Sequence, residues 1–247
     1  MRKEANDMPA RLDGRAYDEM RPVEIIPNVS DFAEGSVLIK CGKTHVFITA
    51  SVEDRVPPHV PEGEGWVTAE YNMLPRANRS RSKRDISKLK LNGRSAEIQR
   101  LIGRSLRAAV DMGKLGPRQI TIDCDVLQGD GGTRTASITG GYVALALAVK
   151  KLMAEGLITE NPLIHKVAAV SAGIVNENPM LDLQYYEDSG AQVDLNCVMT
   201  EDGCLIEIQG TGEGRAFTLE EQQELVRLCA KGIKELNALQ SEVLEEL

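Results

Sequence analysis

The chain has 247 residues, 42% apolar and 27% charged, the balance of a globular protein with a core of its own. Its formal net charge of −8 argues against a generic nucleic-acid binder, and 4% aromatic content argues against base stacking as its main grip on one. No apolar run approaches bilayer-spanning length, and Met1 to Met8 lacks the apolar stretch of a signal peptide, so a cytoplasmic protein with no membrane partner is expected.

The first expected elements are a hairpin. Ser36–Cys41 and Thr44–Glu53 read as strands joined at Gly42-Lys43. A Pro/Gly-rich loop, 56–65, leads to a strand at Trp66–Tyr71. A helix is expected over Ser95–Asp111, where Ile98, Leu101, Ile102 and Leu106 share one face and Arg100, Arg104 and Arg107 fall largely off it. From Gln119 to Gln128, Ile120, Ile122, Cys124 and Val126 alternate with Thr121, Asp123 and Asp125, the period of a half-buried strand. A glycine-rich turn, Gly129–Gly141, separates it from an Ala/Leu-rich helix at Tyr142–Met153. Strands follow at Val167–Val175, Met180–Tyr186, Ala191–Met199 and Cys204–Gln209. A long helix closes the chain, and Thr218 with Glu221 forms its capping box. The pattern predicts one α/β (α+β) domain of two similar β-rich halves, about 11–155 and 160–247, behind a tail of residues 1–10. Cys41, Cys124, Cys197, Cys204 and Cys229 include no C-x-x-C pair and read as buried free thiols rather than zinc ligands.

The turn at 129–141 carries the strongest chemical signal. A glycine-rich entry to a helix leaves backbone N–H groups unpaired at the positive end of the dipole, and Arg134 adds a charged fork suited to phosphate oxygens. It is neither a P-loop, lacking Gly-Lys-Ser/Thr, nor a dinucleotide fingerprint, because Arg134 stands where the third glycine belongs. The alternative is a plain tight turn.

The second signal is charge segregation. Residues 76–107 hold eleven basic residues (Arg76, Arg79, Arg81, Lys83, Arg84, Lys88, Lys90, Arg94, Arg100, Arg104, Arg107) against Asp85 and Glu97, a net +9 on a chain whose remainder carries −17. Such a block on an acidic body suits a polyanion held in one place; the alternative is a solvated surface loop. Asp188 and Asp194, joined by a short link, can converge on one hard cation such as Mg²⁺; the alternative is a turn residue and a solvent-facing strand residue. His45, His59 and His165 lie apart, and there is no G-x-S-x-G elbow, so a histidine-driven hydrolase is disfavoured.

Many separate stretches match one family in order: Arg11-Leu-Asp-Gly-Arg15, Asp18–Val23, Gly65–Tyr71, Met73–Arg76, Gly93-Arg94, Glu97–Arg104, Gly131–Thr139, Glu187-Asp188, Asp194–Asn196, Met199–Gly203 and Glu207–Thr211. The chain resembles the bacterial ribonuclease PH family, phosphate-dependent 3′→5′ exoribonucleases that trim tRNA precursors. The resemblance implies two halves like the second domain of ribosomal protein S5, assembled as a homohexamer, a trimer of dimers. It places the phosphate site at Arg94, Gly132, Thr133 and Arg134, and metal-binding or catalytic carboxylates at Asp188 and Asp194. RNA contacts fall on Arg76, Arg79, Arg81, Arg84 and Arg100. The segment Lys88-Leu-Lys-Leu-Asn92 departs from relatives that are often richer in glycine.

In phosphorolysis inorganic phosphate is the nucleophile and is already ionised at neutral pH, which suits a chain without a catalytic histidine. The enzyme's tasks are positioning and charge neutralisation. Two other readings compete. A non-catalytic RNA-binding ring subunit is disfavoured because both arginines and both aspartates are present. A small-molecule kinase of similar fold would need an ATP loop, and none is found.

Overall fold

The computed structural model describes residues 11–84 and 92–245. The expected tail and nearly all of Lys88–Asn92 lie outside the described residues.

Two sheets divide the strands. The first has five, in the order β1 (Val23–Pro27), β2 (Gly35–Cys41), β3 (Thr44–Glu53), β5 (Gln119–Gln128), β4 (Trp66–Met73). All pairings in it are antiparallel except β4 with β5. The second is antiparallel throughout, in the order β7 (Asn178–Leu181), β6 (Val167–Val175), β8 (Val193–Thr200), β9 (Leu205–Gly212). The alternation read in β5 holds: Ile120, Ile122, Cys124 and Val126 are buried, while Thr121, Asp123 and Asp125 are half-buried on the other face.

Helices join the sheets. The helix α1 (Gly93–Arg107) packs on β4 through Ile98, Leu101, Ile102 and Leu106, and α2 (Met112–Leu115) is one short turn after it. The helix α3 (Thr133–Ala154) lies against β2 and β3 of one sheet and β6 of the other. The last helix, α5 (Leu219–Glu245), covers β6, β7 and β8 with Leu225, Cys229, Ile233 and Leu236. Its capping box forms: Glu221 N–H donates to the Thr218 hydroxyl at 3.2 Å, and Thr218 N–H donates to the Glu221 carboxylate at 2.8 Å.

Several expectations need correction. The glycine-rich turn ends at Gly132, and the following helix starts at Thr133, nine residues earlier than its composition implied. Gly140 serves close packing rather than a turn: a Cβ there would stand 2.7 Å from Ile48 Cδ1 and 2.9 Å from Ile39 Cγ2. The full 22-residue α3 is long and apolar enough to cross a membrane by length and composition, contrary to expectation, but 83% of that window is buried between the two sheets. The strand expected over Met180–Tyr186 stops at Leu181, because Asp182 takes a left-handed backbone (φ 52°) and a short helix, α4 (Tyr185–Asp188), follows. Asp188 is therefore the last residue of a helix, not a turn residue. Four cysteines are buried as expected, and Cys204 is exposed.

Candidate active site

The site begins with the loop between β5 and α3. Gly131 (φ 79°) and Gly132 (φ 66°) both take left-handed backbone, which glycine alone adopts without strain. Gly131 is further constrained by contact, since a Cβ there would lie 2.4 Å from the Leu183 carbonyl oxygen and 3.0 Å from the Tyr185 nitrogen. The start of α4 thus rests directly on the loop. Thr44 Oγ1 donates to the Gly131 carbonyl (2.6 Å) and accepts from Asp130 N–H (2.9 Å), and Arg21 Nη1 donates to the Asp130 carbonyl (2.6 Å). Among the described residues, no side chain caps the N-terminus of α3. The amides of its first turn, with the positive dipole end, therefore face an open cleft of about 1410 Å³.

Into this cleft the fold brings Arg94, Gly132, Thr133, Arg134, Asp188 and Asp194. Asn92 caps α1 by accepting Arg94 N–H at 3.2 Å, which seats Arg94 in the first turn. Arg134 Nη1 donates to Gln209 Oε1 of β9 at 3.1 Å and stands 3.6 Å from the Glu97 carboxylate of α1. The Tyr71 hydroxyl of β4 is 2.8 Å from Thr133 Oγ1, fixing the first residue of α3. Asp194 sits on β8 opposite Gly173 of β6 and Thr211 of β9, between buried Val193 and Leu195, so its own side chain takes the other face as expected.

The two carboxylates are held without a full counter-charge. Burial, with the neighbouring Asp188 second, pushes the Asp194 carboxyl up to about 6 against the pull of Arg134 and the Asn196 amide. Burial also raises Asp188, opposed by Arg94 and Arg134. Two oxygen ligands of like charge facing one cleft are the donor set a hard divalent cation takes. Among the described residues, the one group of three metal-ligand side chains lies elsewhere, at His165, Glu201 and Asp202. Glu201 there already accepts Lys166 N–H and Asp202 the Thr200 hydroxyl.

The basic block is only partly at the cleft. Arg79, Lys83 and Arg84 line it; Arg76, Arg81 and Arg100 are exposed but do not. Arg79 is engaged already, its guanidinium 4.4 Å from the Tyr186 ring centroid and donating to the Tyr186 hydroxyl.

Sequence reasoning missed the supports. Arg21 pairs with Asp182 at 2.6 Å across 161 residues, a distance no local pattern reveals. Asn196 was within reach: two residues beyond Asp194 on a strand, it must share that face. Tyr71 and Gln209 lay within stretches that carry the family resemblance but had no role assigned, and Tyr185 gave no signal beyond its place in an expected strand.

Two family models match the chain: the 3′ exoribonuclease family, domain 1, over residues 19–151, and domain 2 over residues 165–232. Ribonuclease PH of Neisseria gonorrhoeae is 56% identical over 231 residues, covering 93% of this chain and 96% of its own. Ribonuclease PH of Bacillus pumilus is 55% identical over 239 residues, covering 96% and 99%. Among solved structures, rice Rrp46 superposes with a TM-score of 0.78 at 16% identity, covering 95% of this chain and all of its own, which shows the shared fold. The Archaeoglobus fulgidus exosome with RNA bound to the active site superposes with a TM-score of 0.77 at 25% identity, covering 93% and 92%.

Proposed function

The chain belongs to the ribonuclease PH group of the 3′ exoribonuclease family, and from that membership we propose how its cleft performs phosphate-dependent 3′→5′ RNA shortening. The observation that carries the reading is the convergence, in one cleft, of an uncapped helix N-terminus, two arginines and two under-compensated carboxylates.

Orthophosphate sits on the amides of Gly132 and Thr133, clamped by Arg94 and Arg134. Its oxygen attacks the phosphorus of the last internucleotide linkage. The bond from that phosphorus to the 3′ oxygen of the penultimate ribose breaks, and the 3′ oxygen takes up a proton. The terminal nucleotide leaves as a nucleoside diphosphate, and the reverse reaction adds one. No strong general base is required, which agrees with a cleft whose lining includes no histidine among the described residues. The arginines hold the nucleophile in line and offset charge between two approaching anions. Asp188 and Asp194 would hold a divalent cation, Mg²⁺ by ligand type, and when bound it supplies further neutralisation of the phosphate oxygens.

The finer reading extends the same site. The substrates are tRNA precursors and other RNA 3′ ends, threaded past Arg79 and Arg84, with Arg76, Arg81 and Arg100 gripping the strand further out. The two halves act as one unit because the cleft draws on both sheets. The protein works in the cytoplasm as a homohexamer, a trimer of dimers.

Incubating the protein with RNA and Mg²⁺, with and without phosphate, tests the reading. Nucleoside diphosphates formed only with phosphate are expected; monophosphates, or shortening without phosphate, would overturn it.

A further inference from the structure

The composition gave aromatic residues little weight, yet two stand at the cleft beside the proposed chemistry. Tyr185 and Tyr186 open α4 and are 48% and 49% exposed, in a chain with few aromatic residues. Their centroids are 5.7 Å apart at an interplanar angle of 66°, an edge-to-face pair. Their surroundings differ. Tyr186 is taken up by Arg79, which lies over its ring and donates to its hydroxyl. Tyr185 lines the cleft itself.

Placement fixes how far Tyr185 can reach. Asp188 follows it by three residues in α4, so the two share a helix face. Its backbone nitrogen would stand 3.0 Å from a Cβ at Gly131, so α4 starts against the phosphate loop, and Tyr185 lines the same cleft as Gly132, Thr133 and Arg134. α4 is rigidly seated: Arg11 grips the buried Glu187 carboxylate with Nε (2.8 Å) and Nη2 (2.5 Å), and Glu187 also accepts Gln184 N–H at 3.0 Å. A half-exposed ring on so fixed a base, braced by a second ring that an arginine holds, is a preorganised flat surface.

We propose that Tyr185 is a stacking platform for a base at the RNA 3′ end, with Tyr186 and Arg79 as the residues that position it; this rests on the phosphorolytic reading above. Stacking suits a stepwise shortening reaction because every base has a π-face, so each new terminal nucleotide is held alike whatever its identity. It also leaves the arginines at the loop free for phosphate.

The experiment uses RNA oligonucleotides carrying 2-aminopurine at the last or the penultimate position. Binding to the parent protein with Mg²⁺ and no phosphate should quench the fluorescence at one of the two positions, and Tyr185→Ala should restore it. In turnover, Tyr185→Ala should raise KM for RNA roughly tenfold, with kcat and KM for phosphate within about twofold. Tyr185→Phe should match the parent, and Arg79→Ala should raise KM for RNA by a smaller factor. Quenching at neither position in the parent protein, an unchanged KM in Tyr185→Ala, or a Tyr185→Phe defect as large as that of Tyr185→Ala would each overturn the proposal. Diphosphate release by the parent enzyme reports on phosphorolysis separately.

Discussion

Glu187 and Asp188 are neighbours in sequence and opposites in electrostatics. Glu187 belongs with Asp182 to a cluster in which Arg11, Arg15 and Arg21 answer every carboxylate: Arg21 meets Asp182 at 2.6 Å, Arg11 meets Glu187 at 2.5 Å and Arg15 reaches both. Burial alone would raise Asp182, but the hydrogen bonds and charge of Arg21 hold it below the ordinary carboxylate range. Asp188 belongs with Asp194 to the cleft, where Arg94 and Arg134 oppose but do not cancel burial, and both carboxyls titrate high. Both regions are built from arginine and carboxylate. Where the pairs close, the charge is scaffold; where they stay open, it faces the cleft.

Asp194→Asn breaks the open side and should have the largest effect. Turnover should fall by about 10³-fold, the scale of losing one aimed charge in a site. Stability should move the other way. With its carboxyl pushed up to about 6, ionising Asp194 at pH 7 costs on the order of 3 kcal/mol at about 1.4 kcal/mol per pKa unit. The variant's Tm should rise by a few degrees; a fall in calorimetry would mean the carboxylate is structurally paired after all.

Arg21→Met breaks the closed side. It takes away the closer of the two arginines on buried Asp182, leaving Arg15 at 3.5 Å, and removes the strut under Asp130, so urea unfolding should show a loss of about 3 kcal/mol. A change under 1 kcal/mol would show that the cluster does not hold the loop.

pH separates the regions without mutation. As pH falls from 7 to 5, Asp194 and the sheet residue Asp123, which burial and then Glu70 and Asp125 push up to about 6, take up protons the unfolded chain does not yet bind. Stability should therefore rise over that window, while the depressed Asp182 stays ionised and keeps its pair. Activity at saturating phosphate and limiting Mg²⁺ should fall below pH 6, because protons compete with the cation for Asp194, and added Mg²⁺ should restore it. A pH profile flat to 5 would contradict an ionised Asp194 in catalysis.

The smallest effect belongs to the rim. Arg84→Ala should shift the slope of log RNA affinity against log salt by about 0.7, one phosphate contact on a single strand, with kcat unchanged. A slope equal to that of the parent protein would place the strand elsewhere.

What the sequence made legible follows the same division. Local signals worked where local physics decides: the β2–β3 hairpin, the alternation of β5, the apolar face of α1, the Thr218 capping box and the outward face at Asp194. They failed where tertiary contact overrides propensity. Gly140 and Gly141 read as turn because glycine is a poor helix former, yet they lie within α3, where Ile39, Ile48 and Leu106 leave little room for larger side chains. β1, five residues ending in Pro27 at a sheet edge, is too short to show a period. Arg94 and Arg134 could be singled out because each sits in the first turn of a helix behind glycine, whereas Asp188 and Asp194, at a helix end and within a strand, stood out through the family resemblance. The closed pairs could not, since Arg11, Arg15 and Arg21 find partners more than 160 residues away.

The most direct test of the central claim, that the Gly131–Arg134 loop holds orthophosphate as the attacking reactant, is phosphate titration of Arg134→Ala beside the parent enzyme at fixed RNA. The account predicts that KM for phosphate rises and turnover falls by about 10²-fold or more, while RNA affinity stays within about twofold. A variant that turns over RNA with the parent's phosphate dependence would contradict it.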